Sequence, residues 1–210
     1  MKGQFFPYGD SIKTRKFPVF TVSLIAINVI AFILSLSNFE TIIRTFGFVP
    51  SLFPSFAALV TIFTSMFLHA GIDHIFGNMW YLWIFGDNVE DKLGRVKFIL
   101  IYFLSGIVAN FVQYMVDPSS TIPSIGASGA VSGILGCYLV FFPKSRITTS
   151  TGYWLGETPA WFVIGFWFLI QLFFGAATLA GYGGSNIAFF AHIGGFVFGY
   201  LAAKLISKSR

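Results

Sequence analysis

Six stretches of this chain run for about twenty residues each with little charge, at about 18–37, 72–89, 95–115, 127–143, 159–178 and 188–206. A helix rises ~1.5 Å per residue, so each run is close to the ~30 Å of a bilayer's hydrocarbon core. The runs are too long and too continuously apolar for the short alternating strands of an outer-membrane barrel. Outside them little charge is left. Charged residues make up 10% of the chain, and the 28 phenylalanines outnumber the 13 basic and 8 acidic residues together. Ordinary soluble domains carry about 25% charge. That excludes a soluble enzyme and a disordered chain, and nucleic acid is not an expected partner despite a net charge of +5. The expected fold class is an all-α membrane protein, a bundle of six transmembrane helices. A seventh apolar stretch, 55–69, is shorter and suits an interfacial or re-entrant segment. The lone cysteine, Cys137, excludes an internal disulfide and any cysteine-rich metal site.

The basic residues orient the spans. Lys2, Lys13, Arg15 and Lys16 precede the first; Lys92, Arg95 and Lys97 separate the second and third; Lys144 and Arg146 follow the fourth; Lys204, Lys208 and Arg210 end the chain. All lie on one side, and Arg44 alone lies on the other. The positive-inside rule then predicts cytoplasmic N- and C-termini. The chain divides into a basic N-terminus (1–16), a membrane domain (17–206) and a short tail (207–210). Ser35-Leu36-Ser37 is similar to a signal-peptidase site, but five spans follow it, so the first helix is read as a retained anchor. The N-terminus has no transit-peptide pattern, which points to a prokaryotic plasma (inner) membrane.

In this topology the even-numbered spans all start on the outer side. They carry Asp73-His74 and Asn78, then Gly126-Ala127-Ser128-Gly129, then Ala191-His192. His74, Asn78, Ser128 and His192 therefore share one depth, and His69, the only other histidine, falls at the same level. Polar and ionisable groups inside a membrane are costly and mark functional sites. Gly129 and Gly133, and Gly195 and Gly199, have the Gly-x-x-x-Gly spacing that lets helices approach closely. Close approach would bring the Ser128 hydroxyl to the His192 imidazole, the arrangement for nucleophilic catalysis. The Ser128 N–H at a helix start, with His74 and Asn78 on one face of the second span, would supply oxyanion donors. No acidic residue accompanies His192, so a dyad is expected rather than a triad.

Blander readings stand beside this one. Gly-x-x-x-Gly usually means packing alone, and a helical serine usually bonds its own backbone, the role expected for Ser132. His69 is expected to be structural. Asn28, Asn110, Gln113 and Gln171 suit interhelical hydrogen bonds. A metal at His69, His74 and His192 would lack a carboxylate or thiolate partner, and neither metal nor cofactor is expected.

The pattern His69-x-x-x-x-His74-x-x-x-Asn78, the Gly-Ala-Ser-Gly run at 126–129, and Ala191-His192 followed by Gly195 and Gly199 together resemble the rhomboid family of intramembrane serine proteases. The likeness covers nearly the whole chain and is to the minimal six-helix prokaryotic form. It implies Ser128 as nucleophile, His192 as general base, and His74, Asn78 and the Ser128 amide as the oxyanion site. His69, Gly126, Gly129, Gly195 and Gly199 would be structural neighbours. It also implies an amphipathic first loop over 39–70, a gate in the fifth helix, and a cap in the loop with Gly181, Gly183 and Gly184. Partners would be the lipid bilayer and single-span membrane proteins, cut near the outer face at small residues in easily unwound segments. Two departures stand out. The first loop has Arg44 but no tryptophan beside it, and Ser132 occupies a position where some relatives stack a tyrosine on the catalytic histidine. The rival readings are a catalytically inactive relative that binds transmembrane helices and a small transporter.

Overall fold

The structure, a computed structural model, describes residues 6–150, 155–182 and 187–208. Eight α-helices follow one another: α1 Val19–Ser35, α2 Phe39–Phe46, α3 Phe56–Thr64, α4 Ile72–Leu93, α5 Arg95–Val116, α6 Ser128–Phe141, α7 Ala160–Leu179 and α8 Phe189–Lys208. The six expected spans are α1, α4, α5, α6, α7 and α8. Among the described residues four helices are long and apolar enough to cross a membrane unaided, those starting at Val19, Arg95, Ala160 and Phe189. A fifth candidate is α4 taken with the segment Phe56–Phe67, which meets it at 79°. A bend that sharp is the geometry of a broken span or of a re-entrant segment.

Burial is distributed as a lipid solvent demands. Leu34, Leu100, Phe111, Leu169 and Phe173 are exposed, while Asn110, Ser132 and Gln171 are buried and hydrogen-bonded. Apolar side chains cost nothing against acyl chains, whereas polar groups must find partners inside the protein. On α7 the exposed Phe162, Phe166, Leu169 and Phe173 recur at helical spacing, and the buried Ile164, Gln171 and Gly175 lie on the other side.

At one end of the bundle the chain adds something the apolar pattern does not predict, a three-stranded antiparallel sheet. Its order is β1 Phe6–Asp10, β2 Arg146–Ser150, β3 Leu155–Pro159. The β-branched run Ile147-Thr148-Thr149 favours extended backbone and buries alternate residues. Thr158 and Pro159 finish β3, so the fifth span starts one residue later than the apolar run suggests; Thr158 Oγ1 bonds Thr149 Oγ1 at 3.0 Å, and α7 starts at Ala160. The same end is locked by acidic residues on α4. Glu90, 3% exposed, accepts from the N–H groups of Phe20 (3.0 Å) and Thr21 (2.8 Å) and from Thr21 Oγ1 (2.9 Å). A carboxylate thus satisfies the open N–H groups at the start of α1, where the helix dipole favours negative charge. Asp10 of β1 accepts from Asn88 Nδ2 (2.8 Å) and from the Tyr138 hydroxyl on α6.

The helix pair α6 and α8 sets the spacing at the other end. A methyl group added to Gly195 would run into the carbonyl of Gly129, and one added to Gly199 into the carbonyl of Gly133. The two backbones are in direct contact, which requires hydrogen at both positions. Cys137 Sγ reaches the Gly199 carbonyl at 3.2 Å and is buried within this contact, far from the start of α6.

Candidate active site

Ser128 is the first residue of α6, and His192 lies in the first turn of α8. Because the glycine contact brings the two helices together, His192 Nε2 lies 2.8 Å from Ser128 Oγ. The backbone N–H groups of α6's first turn have no acceptor within the helix, so Ser128 stands at a positive helix end.

His74 enters from α4. Its Nδ1 accepts the Ala70 N–H at 3.2 Å, so the neutral ring carries its hydrogen on Nε2. That nitrogen sits against Gly126, where an added Cβ would lie 2.7 Å from His74 Nε2 and 3.6 Å from Ser128 Oγ. Gly126 also has φ +123°, which disfavours any side chain. Its N–H donates to the Ser65 carbonyl at 2.9 Å, so the loop entering α6 is tied to the first loop. Asn110 reinforces the tie from α5, donating to the Ile62 carbonyl (2.9 Å) and to Ser65 Oγ (3.1 Å). A cavity of about 20 Å³ borders Ser128, Gly126 and Asn110, a volume that suits a single water.

Other expected residues take supporting places. Asn78 gives one amide hydrogen to the His74 carbonyl at 3.1 Å, one turn earlier on α4. His69 is fully buried and packs edge-on against His74, with ring centroids 5.1 Å apart. Ser132 donates to the Ser128 carbonyl at 2.6 Å, the backbone bond expected of it. Asp73 is exposed. Gly181 has φ +81°; Gly183 and Gly184 lie outside the described residues. Among the described residues no group of three or more His, Cys, Asp or Glu side chains is close enough to hold a metal ion.

The contact missing from the sequence reading comes from α7. Gln171 Oε1 lies 2.8 Å from His192 Nδ1, and Trp167, one turn earlier, has its ring centroid 6.2 Å from the imidazole at 33°. Gln171 does make an interhelical bond, as expected, but its partner is the histidine that faces Ser128. The available signal was a lone amide in an otherwise apolar helix, which does not reveal the direction in which it points.

Known proteins are similar to this chain over much of its length. A family model described as the Rhomboid domain matches residues 56–209. The rhomboid protease GluP of Bacillus subtilis is 32% identical over 195 residues, 90% of this chain and 35% of that protein. Rhomboid protein 1, mitochondrial, of Saccharomyces cerevisiae is 32% identical over 156 residues, 71% of this chain and 42% of that protein. The human presenilin-associated rhomboid-like protein, mitochondrial, is 34% identical over 85 residues, 40% of this chain and 22% of that protein. The chain spans less than half the length of each of these relatives. With a family match over most of its length and a multi-pass helical bundle to carry it, the chain belongs to the rhomboid family.

Proposed function

We propose that this protein is an intramembrane serine endopeptidase that cleaves single-span membrane proteins through Ser128 and His192. The observation that carries the reading is the 2.8 Å separation of Ser128 Oγ and His192 Nε2. The Ser128 hydroxyl gives its proton to His192 Nε2 as Oγ bonds to the scissile carbonyl carbon. The carbonyl oxygen becomes an oxyanion. The Ser128 N–H and the His74 Nε2–H would be its donors, a role supported by the position of His74 Nε2 beside Gly126, and Asn78, whose amide has a second hydrogen, would add a third. His192 then protonates the departing amine as the C–N bond breaks. Water attacks the acyl ester, gives a proton to His192, and releases the new carboxyl end with Ser128 restored.

A transmembrane helix offers no free carbonyl, because each is bonded within the helix. Substrates would therefore be cut where small residues let the helix unwind. The distribution of basic residues supports cytoplasmic termini and a site near the extracytoplasmic face.

The test uses the full chain in detergent with a fluorophosphonate probe and a model single-span substrate. We expect labelling and cleavage, both lost in Ser128→Ala, with turnover also lost in His192→Ala. Labelling that survives Ser128→Ala overturns the assignment, and inert wild-type protein favours a helix-binding member of the family.

A further inference from the structure

The dyad as described leaves one requirement open. A neutral imidazole has two tautomers, and only the one with a bare Nε2 can accept the serine proton. Nothing on α6 or α8 selects between them: Ser132, four residues after Ser128, is turned to the Ser128 carbonyl. The selecting contact reaches across from α7. Gln171 is 6% exposed, and its Oε1 faces His192 Nδ1 at 2.8 Å. The amide cannot be reversed without loss, because its Nε2 donates to the Trp167 carbonyl at 3.4 Å and that carbonyl can only accept. With the oxygen held toward the ring, Nδ1 must carry the hydrogen. Nε2 is then bare and faces Ser128 Oγ.

Resting on the roles proposed above for Ser128 and His192, we propose that Gln171 is the positioning residue of this active site. It fixes the His192 tautomer and ring orientation, a task that a carboxylate performs in serine-protease triads. An amide suits a membrane interior better than a carboxylate, since it orients the ring through a dipole without placing a charge in a low-dielectric medium. The amide oxygen also offers the imidazolium formed during the reaction a hydrogen-bond acceptor. The site is thus built from three helices, with nucleophile on α6, base on α8 and orienter on α7.

Two measurements test this. In kinetics, Gln171→Leu keeps similar bulk but removes the acceptor; kcat should fall about 10- to 100-fold with KM nearly unchanged. Gln171→Glu keeps a carbonyl oxygen and should recover most of that loss. A role in packing alone would lower stability in Gln171→Leu and leave kcat of the folded fraction at the wild-type value, which overturns the proposal. The second readout does not depend on activity. Nitrogen-15 spectra of histidine-labelled protein, with the His192 signals identified by their absence in His192→Ala, report the tautomer directly. Wild type and Ser128→Ala should show Nδ1 protonated and Nε2 bare, and Gln171→Leu should show a mixture. An Nε2-protonated ring in wild type refutes the role of Gln171 whatever the fate of the protease reading, and an inactive enzyme with Nδ1 protonated sinks that reading while leaving the tautomer assignment standing.

Discussion

At the scale of single residues, Gly126 shows how tightly the site is drawn. It lacks a side chain both because its φ of +123° disfavours one and because His74 Nε2 occupies the space. Gly126→Ala should push the imidazole away from Ser128. Removal of one oxyanion donor typically costs about 10²–10³ in kcat, and a loss of that order is expected here. Combining Gly126→Ala with His74→Ala should cost little more than either change alone, because in the proposed mechanism both remove the same donor; additive losses in kcat would show separate roles. Much of this constellation is legible in the sequence, since a serine, two histidines and an asparagine stand out against apolar spans. The contact of Gln171 with His192 is not. Gln171 lies 21 positions before His192, and the direction in which it points depends on how α7 is rotated against α8. Spacing within a helix says which residues share a face, but not which face meets which neighbour.

At the scale of elements, the α6–α8 contact governs the distance between Ser128 and His192. Gly199→Ala would force its methyl group against the Gly133 carbonyl, where backbone cannot yield as a side chain can. Overpacking of this kind costs about 1–3 kcal/mol. The unfolding temperature in detergent should fall, and probe labelling should drop even well below it, as the helices part. Gly165→Ala on α7 is the control, because an added Cβ there meets nothing within 4 Å; it should be neutral or slightly stabilising. The Gly-x-x-x-Gly pairs announce this contact in the sequence. The sheet is less visible. Arg146–Ser150 carries the β-branched signal, but β1, Phe6–Asp10, contains a proline and a glycine, and only pairing with β2 makes it a strand. Glu90 is equally silent, because a carboxylate at the end of one helix gives no sign that it caps another.

At the scale of the whole molecule, Asp10 joins the N-terminal strand to α4 and α6. Burial raises its pKa above 3.8, outweighing the opposing hydrogen bonds from Tyr138, the Ile12 N–H and Asn88; Asp87 is the acidic neighbour. A carboxyl whose pKa is raised by folding binds protons more tightly in the folded state. Its docking is therefore most favourable below about pH 3.8 and weakens as pH rises through the raised value, after which the loss is constant. Hydrogen exchange at β1 should quicken as pH rises through that window, beyond the intrinsic pH dependence. Asp10→Asn, which stays neutral, should flatten the response. A wild-type protein whose β1 protection is independent of pH there would contradict the coupling.

The sheet also bears on how the molecule is made. The backbone N–H of Arg146 donates to Ser11 Oγ across 135 positions of sequence, and β1 pairs with residues 147–150 of β2. The first strand leaves the ribosome long before its partner exists, and α1, α4, α5 and α6 must all be inserted in between. Closing the sheet therefore requires that Phe6–Asp10 and Arg146–Ser150, with α1, α4, α5 and α6 between them in the chain, end on the same side of the bundle.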